Sequence, residues 1–303
     1  MGDEIIKPNQ ALKASDIAVF LGTTLHGTAE LIETVVPFNA MVDAALSFSK
    51  TKPAGDMLQG VRGACIITSV LPDSIESNAF IVVDNPRLAF AKVLAEFFVE
   101  RKKPGIGKHT AIDPTAKIGK DVVIGNNCTI GRNAEIGDYT EIRNNVIITD
   151  GVKIGAHCLI RSNSVIGEEG FGFANEVDGT PVRIPHLGSV EIGDYVEVGN
   201  FTAIARGTLG NTIIRSHVKI DNLVHSAHNC MIGEKTMIIA CAEVSGSSVV
   251  GENCWLGVGC STMQKISIGP DCVIGIGAVV LKDVPSGAVM VGNPAKILRT
   301  KNK

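Results

Sequence analysis

The chain has 303 residues, with 28 Lys and Arg against 31 Asp and Glu and a formal net charge of −3. That near balance, without a dense Lys/Arg block, argues against nucleic acid as the main partner. The length allows two domains with a large buried core. Aromatic residues make up only 4 % while hydrophobic residues reach 45 %, so the core has to be built from Ile, Val and Ala, which suits a repetitive β architecture. The start, MGDEIIKPNQ, lacks a basic segment followed by an apolar one, and no run of 18 apolar residues occurs. The expectation is a cytoplasmic protein with no signal peptide and no membrane span.

Residues 1–14 are polar and read as a flexible leader. Residues 15–102 read as a small α/β domain. In it, SDIAVFLG predicts a short helix with Ser15 or Asp16 as N-cap. Short strands are expected near Leu25, Glu33–Val36, Ala64–Thr68 and Ala79–Val83. Asn85-Pro86 then opens an amphipathic helix, RLAFAKVLAEFF, ending near Arg101. Lys102-Lys103-Pro104-Gly105 is the expected linker.

A repeat follows and dominates residues 103–285. Ile106, Ile112, Ile118, Ile124, Ile130, Ile136, Ile142, Ile148, Ile154, Ile160 and Ile166 recur every six residues without a miss. Two positions earlier stand small residues such as Thr110, Ala116, Cys128, Ala134, Thr140 and Cys158. The phase resumes at Ile192, slips by four after Ile204, and runs from Ile214 to Val280, with Ser226 and Thr262 interrupting. A period of six is neither helical nor a strand alternation. It fits a short strand and a corner, three of which make one triangular coil of eighteen residues, with the aliphatic inward and the small residue allowing the turn. The pattern predicts a left-handed parallel β-helix, an exception to the usual crossover hand. About nine coils stacked at roughly 4.8 Å make a prism on the order of 40 Å long.

Two insertions break the prism: a loop over 168–191 and the short slip ARGTLGN around Arg206. Phe171 and Phe173 in the first loop are either a cap on a coil or the wall of a ligand cleft. Residues 286–303 read as a C-terminal tail whose basic residues are solvated. The eight cysteines contain no CxxC, and six of them (Cys128, Cys158, Cys230, Cys254, Cys260, Cys272) occupy the small inward position. They read as buried free thiols, and no metal is expected.

Chemistry concentrates in Val218–Gly246. If residue n stacks on n+18, His228 lies beside Gly246 and His225 beside Glu243, and both histidines face outward. An outward imidazole beside a bare backbone N–H suits acyl transfer: His228 takes the proton of an attacking amine and Gly246 N–H holds the oxyanion. Glu243 and Asp221 are candidate orienting groups, and Asn229 follows the base directly. Prisms of this kind usually trimerise and place their sites between subunits.

The segments TTLHG, DAALSF, IVVDNPRLAFAKVL, IGEEGFGFA, RIPHLGSVEIGDYVEVG and KIDNLVHSAHNCMIG resemble the UDP-3-O-acylglucosamine N-acyltransferases of lipid A biosynthesis over about residues 15–275. The resemblance implies a homotrimer, a uridine-binding N-terminal domain, an acyl-carrier-protein thioester as co-substrate with no permanently bound cofactor, and a histidine general base, which falls at His228. By position Asp221 matches a site aspartate and Gly246 a site glycine. Asn222, His225, Asn229, Glu243, Phe48, Phe171 and Phe173 are the further candidates for substrate binding. The family's uracil-binding run of Phe, Asn and Tyr reads Phe48, Thr51 and Ala54 here. Ala205 replaces an aspartate, and Lys265 stands where the family has a second histidine.

The end, DVPSGAVMVGNPAKILR, is similar instead to coenzyme-A-dependent hexapeptide acetyltransferases. A second reading is therefore short-chain transfer from coenzyme A to another nucleotide-linked amino sugar. Two further readings use the same prism: a zinc lyase of the carbonic anhydrase type, whose His-x4-His pair is absent here, and a non-catalytic trimeric scaffold.

Overall fold

The computed structural model describes residues 6–53, 55–75 and 77–300. The chain divides into two compact units, Met1–Arg101 and Lys102–Lys303.

The first unit contains helix α1 (Ala14–Leu21), strands β1 (Leu25–Gly27), β2 (Thr34–Val35), β3 (Ala45–Ser49), β4 (Cys65–Thr68) and β5 (Ala79–Val82), and helix α2 (Pro86–Phe97). The sheet order is β1-β5-β4-β3-β2, parallel except for β1. Alternation along the central strand supplies two cores. Cys65 and Ile67 pack with Ile17 of α1 and Ala89 and Val93 of α2, while Ala64, Ile66 and Phe80 form a second cluster.

Several local expectations need correction. Helix α1 starts at Ala14, and Asp16 accepts the backbone N–H of Lys13 at 3.0 Å, so Asp16 lies inside the first turn and Lys13 is the N-cap. Helix α2 ends at Phe97 rather than near Arg101, while its start is capped by Asn85 Oδ1, which accepts Leu88 N–H at 3.1 Å. Strand β3 was not anticipated, because ALSFS is buried nearly throughout and carries no period-two signal. The residues just before α1 are anchored: Leu12 is 1 % exposed and bridges to Ile32, and Asn9 N–H donates to Phe97 O.

The second unit is the prism, a mainly β, left-handed parallel helix with three faces. The first face runs from Gly105–Ile106 and has eleven strands; the second runs from Ala111–Ile112 to Val279–Val280 and has nine; the third runs from Lys117–Ile118 to Ser267–Ile268 and has eight. Strands pair eighteen apart, as in Ile130 with Ile148, and the aliphatic row fills the core. Ile106 is 62 % exposed because no prism coil lies beyond it. The corner itself is made differently from the expectation. The small residue points inward and is buried, whereas the residue just before it carries the turn with positive φ, as at Asn127, Tyr139, His157 and Asn229. Each such non-glycine corner costs about 1 kcal/mol, offset by the hydrogen bonds between coils. On one edge the corner rings Tyr139, His157, Tyr195 and His217 stack at 4.7–4.9 Å with nearly parallel planes.

The insertions show in the register. Lys153 pairs with Glu191 across the long loop, and Ala203 with His225 across the four-residue slip. The stretch expected as a tail contains two strands. Ala288–Val291 joins the first face beside Val273–Ile274, and Lys296–Thr300 returns antiparallel to it. The six repeat cysteines are buried, and burial pushes the thiols of Cys158, Cys230 and Cys260 up to about 11.

Candidate active site

His228 sits at the corner between the second and third faces, half-buried, immediately before the left-handed residue Asn229. Its Nδ1 lies 3.1 Å from Asn229 Oδ1. An amide oxygen only accepts, so Nδ1 carries the proton and the neutral ring keeps its lone pair on Nε2. Asn229 Oδ1 also accepts Thr208 N–H at 2.9 Å, and Asn229 N–H donates to Thr212 Oγ1 at 2.9 Å. Asn229 is therefore committed to holding His228 rather than free to bind substrate.

Gly246 lies one coil along. A Cβ built on it would come 2.8 Å from His228 Nε2 and 2.9 Å from Cε1, so the ring occupies the space a side chain would need. Gly246 N–H makes no hydrogen bond to any described residue, while Gly246 O accepts Lys265 N–H at 2.9 Å. Lys265 thus anchors the backbone of Gly246. The corner presents a lone pair and a free backbone N–H side by side.

Both interruptions of the repeat converge here. The slip loop supplies Thr208 to Asn229, and Leu187 N–H and Gly188 N–H of the long insertion donate to Thr208 O and Gly207 O. The guanidinium of Arg206 donates to Thr149 Oγ1 at 2.9 Å, to Asp150 O at 3.1 Å and to Gly167 O, tying the base of the insertion to the prism. The insertion also delivers His186, which is 3 % exposed. Its Nδ1 lies 3.0 Å from Ile184 O, its ring stands perpendicular to that of His228 at 5.3 Å, and its Nε2 is buried without a hydrogen-bond partner.

The other candidates separate by position. His225 is exposed in the middle of the second face and pairs in register with Glu243. Burial pushes the Glu243 carboxyl above the ordinary carboxylate range, and the nearby His225 pulls it the other way. Asp221 and Asn222 lie at the opposite corner of that face, between the first and second. Asp221 Oδ1 accepts Asn222 N–H at 2.7 Å, and Asn222 Oδ1 accepts Asn200 N–H at 2.8 Å. Within one chain the width of the face, on the order of 15–20 Å at about 3.3 Å per extended residue, lies between Asp221 and His228. Phe171 is 88 % exposed and Phe173 37 %, their rings 4.9 Å apart, with Arg183 5.0 Å from the Phe173 ring. They cap no coil.

Phe48 belongs to the first unit, where its half-buried ring packs 4.8 Å from Phe90. Thr51 O accepts Ser49 Oγ at 2.8 Å, and Ala54 lies outside the described residues. Ala205 is buried, and its carbonyl accepts Thr212 Oγ1. Among the described residues no group of three or more His, Cys, Asp or Glu is placed to hold a metal ion, and no helix is long and apolar enough to cross a membrane.

Sequence reasoning missed His186 and Thr208. Their signal was the break in the period itself, which marks where the chain spends residues on something other than the core.

A family model described as the C-terminal domain of GMPPB matches residues 106–182, and one described as a hexapeptide repeat of succinyl-transferase matches residues 249–282. The chain is 42 % identical over 297 residues to the UDP-3-O-acylglucosamine N-acyltransferase of Campylobacter lari, covering 93 % of each. It is 42 % identical over 281 residues to that of Albidiferax ferrireducens, covering 90 % of this chain and 84 % of the other. Among solved structures it is similar to LpxA from Acinetobacter baumannii, with a TM-score of 0.59 and 26 % identity over 65 % of this chain and 74 % of that one. With such identity along nearly its whole length, this chain is an acyltransferase that belongs to the UDP-3-O-acylglucosamine N-acyltransferase family.

Proposed function

We propose that this protein transfers a 3-hydroxyacyl group from a thioester to the amine of UDP-3-O-acylglucosamine in lipid A synthesis, with His228 as general base. The observation that carries the reading is the His228–Gly246 corner, where an imidazole lone pair and an unpartnered backbone N–H sit together. Family membership supplies the substrate class.

The chemistry follows from the tautomer. The sugar amine attacks the thioester carbonyl and gives a proton to His228 Nε2 as the N–C bond forms. Asn229 keeps Nδ1–H paired while the ring is cationic. Gly246 N–H donates to the oxyanion of the tetrahedral intermediate. When that intermediate collapses, the C–S bond breaks and the departing thiolate takes the proton from His228. His228→Ala should lower kcat by roughly 10³-fold in a thioester assay, within the range for a lost general base. Wild-type turnover in that variant would rule out His228 as the general base.

Asp221 and His228 lie at opposite edges of one face, which supports a homotrimer whose sites form where the second face of one subunit meets its neighbour. Phe171, Phe173, His225 and Glu243 then line the acyl or sugar path, and the first unit with Phe48 takes the uridine. The exposed Phe171 and Phe173 suit a cleft wall better than a coil cap. Acyl-carrier-protein thioester is the first reading for the donor and coenzyme A thioester the second, the latter resting on the likeness of residues 283–299 to coenzyme-A-dependent hexapeptide acetyltransferases. Side-by-side assays with both donors separate them: turnover with only the coenzyme A thioester would overturn the first.

A further inference from the structure

His186 has no place in the chemistry above, yet it is the more deeply buried of the two imidazoles at this corner. Its ring is perpendicular to that of His228, at 77° and 5.3 Å between centroids. The contact of Nδ1 with Ile184 O places the proton on Nδ1 and the lone pair on Nε2. That Nε2 is buried and unpartnered, a condition native interiors rarely keep without a use. The insertion is shaped to allow it. A Cβ on Gly170 would come 3.2 Å from His186 Nε2 and equally 3.2 Å from His228 Cβ and Cδ2, and a Cβ on Gly172 would come 2.9 Å from His186 Cε1. Bare glycines are therefore what let the insertion lay one imidazole against the other.

We propose that His186 is a positioning residue for the general base: packed against the bare backbone of Gly170 and Gly172, it fixes the ring plane of His228 and turns its own lone pair toward the ring that becomes cationic. His228 is then clamped between two sparse surfaces, Gly246 on the prism side and Gly170 with His186 on the insertion side. The lone-pair dipole of His186 is already oriented when the proton arrives on His228, so its stabilisation needs no rearrangement. The role rests on the reading of His228 as base.

The test uses the full-length protein labelled with 15N-histidine and three variants. His186→Phe keeps a ring and removes the lone pair, His186→Gln keeps an acceptor, and Gly170→Ala puts a methyl between the two imidazoles. Kinetic and spectral readouts are both taken, with melting curves to show that each variant folds. His186→Phe and Gly170→Ala should lower kcat about tenfold or more with KM within about twofold, and His186→Gln should recover to within about threefold of wild type. The ring 15N signals of His228 should move in the Phe and Ala variants. Wild-type kcat in His186→Phe, no recovery with Gln, a rise in KM at constant kcat, or unmoved His228 signals would each overturn the proposal. The spectra need no substrate, so a wild-type protein without turnover would sink the proposed function and still leave the spectra to decide the role of His186.

Discussion

At the scale of single residues, the site is defined by what is left out. Gly246 has no side chain because His228 fills that volume, and Gly246→Ala would force a methyl to within 2.8 Å of Nε2. The ring has to swing away, so kcat/KM should fall by about 10²-fold, as a misplaced catalytic group does. Steady-state kinetics with an unchanged melting curve would show that the loss is local. Glu243 supplies a pH-dependent test. Its carboxyl is held above the ordinary range by burial, so the folded state favours the protonated form. The associated stability is present at low pH and lost as pH rises through the raised value. Glu243→Gln removes that loss. Its melting temperature should match wild type near pH 4 and exceed it by about 1–2 °C at pH 8. A difference independent of pH between those points would mean the carboxyl is not desolvated. His228 and Gly246 were legible from an eighteen-residue coil because stacking is a counting rule. The commitment of Asn229 to His228 was not, since a rotamer and a tautomer leave no trace in spacing.

At the scale of elements, the insertion over 168–191 and the slip at 205–211 act as one. Arg206 is their shared fastener, bonded to Gly167 O, Thr149 Oγ1 and Asp150 O. Arg206→Met keeps much of the aliphatic stem and removes those donors, leaving the carbonyl of buried Gly167 unpaired at about 1–3 kcal/mol. Amide exchange should speed up over 168–188 while the prism strands stay protected, and kcat should drop because the insertion no longer holds its place beside His228. Uniform exchange across both would show that Arg206 serves only global stability. The corners teach a related lesson. Position i−2 was read from Cys128, Ala134 and Cys158 as the turn, but the turn belongs to the residue before it, in left-handed conformation. Side-chain size is visible in a sequence, whereas the sign of φ at Tyr139 or His157 is imposed by closing the triangle.

At the scale of the whole molecule, the separation of Asp221 from His228 across the second face decides how the site is completed. If subunits meet there, a site draws Asp221 from one chain and His228 from the next. Mixing inactive Asp221→Asn and His228→Ala proteins, unfolding and reassembling them together, should then restore about one quarter of the sites in a closed ring. No recovery of acyl transfer in the mixed sample would place the whole site in one chain.

Eleven isoleucines at a spacing of six determined, without any tertiary information, the prism, its inward row, its buried thiols and the pairing of His225 with Glu243 and His228 with Gly246. A repeat of that kind repeats its contacts, so knowing one coil is knowing its neighbours. The tertiary structure alone decided how His228 is held. His186 and His228 are brought together by a loop with no period, through glycines that make room and a short slip that bonds to Asn229. Contacts across an irregular insertion depend on where its backbone folds back, and no spacing in the chain encodes that path.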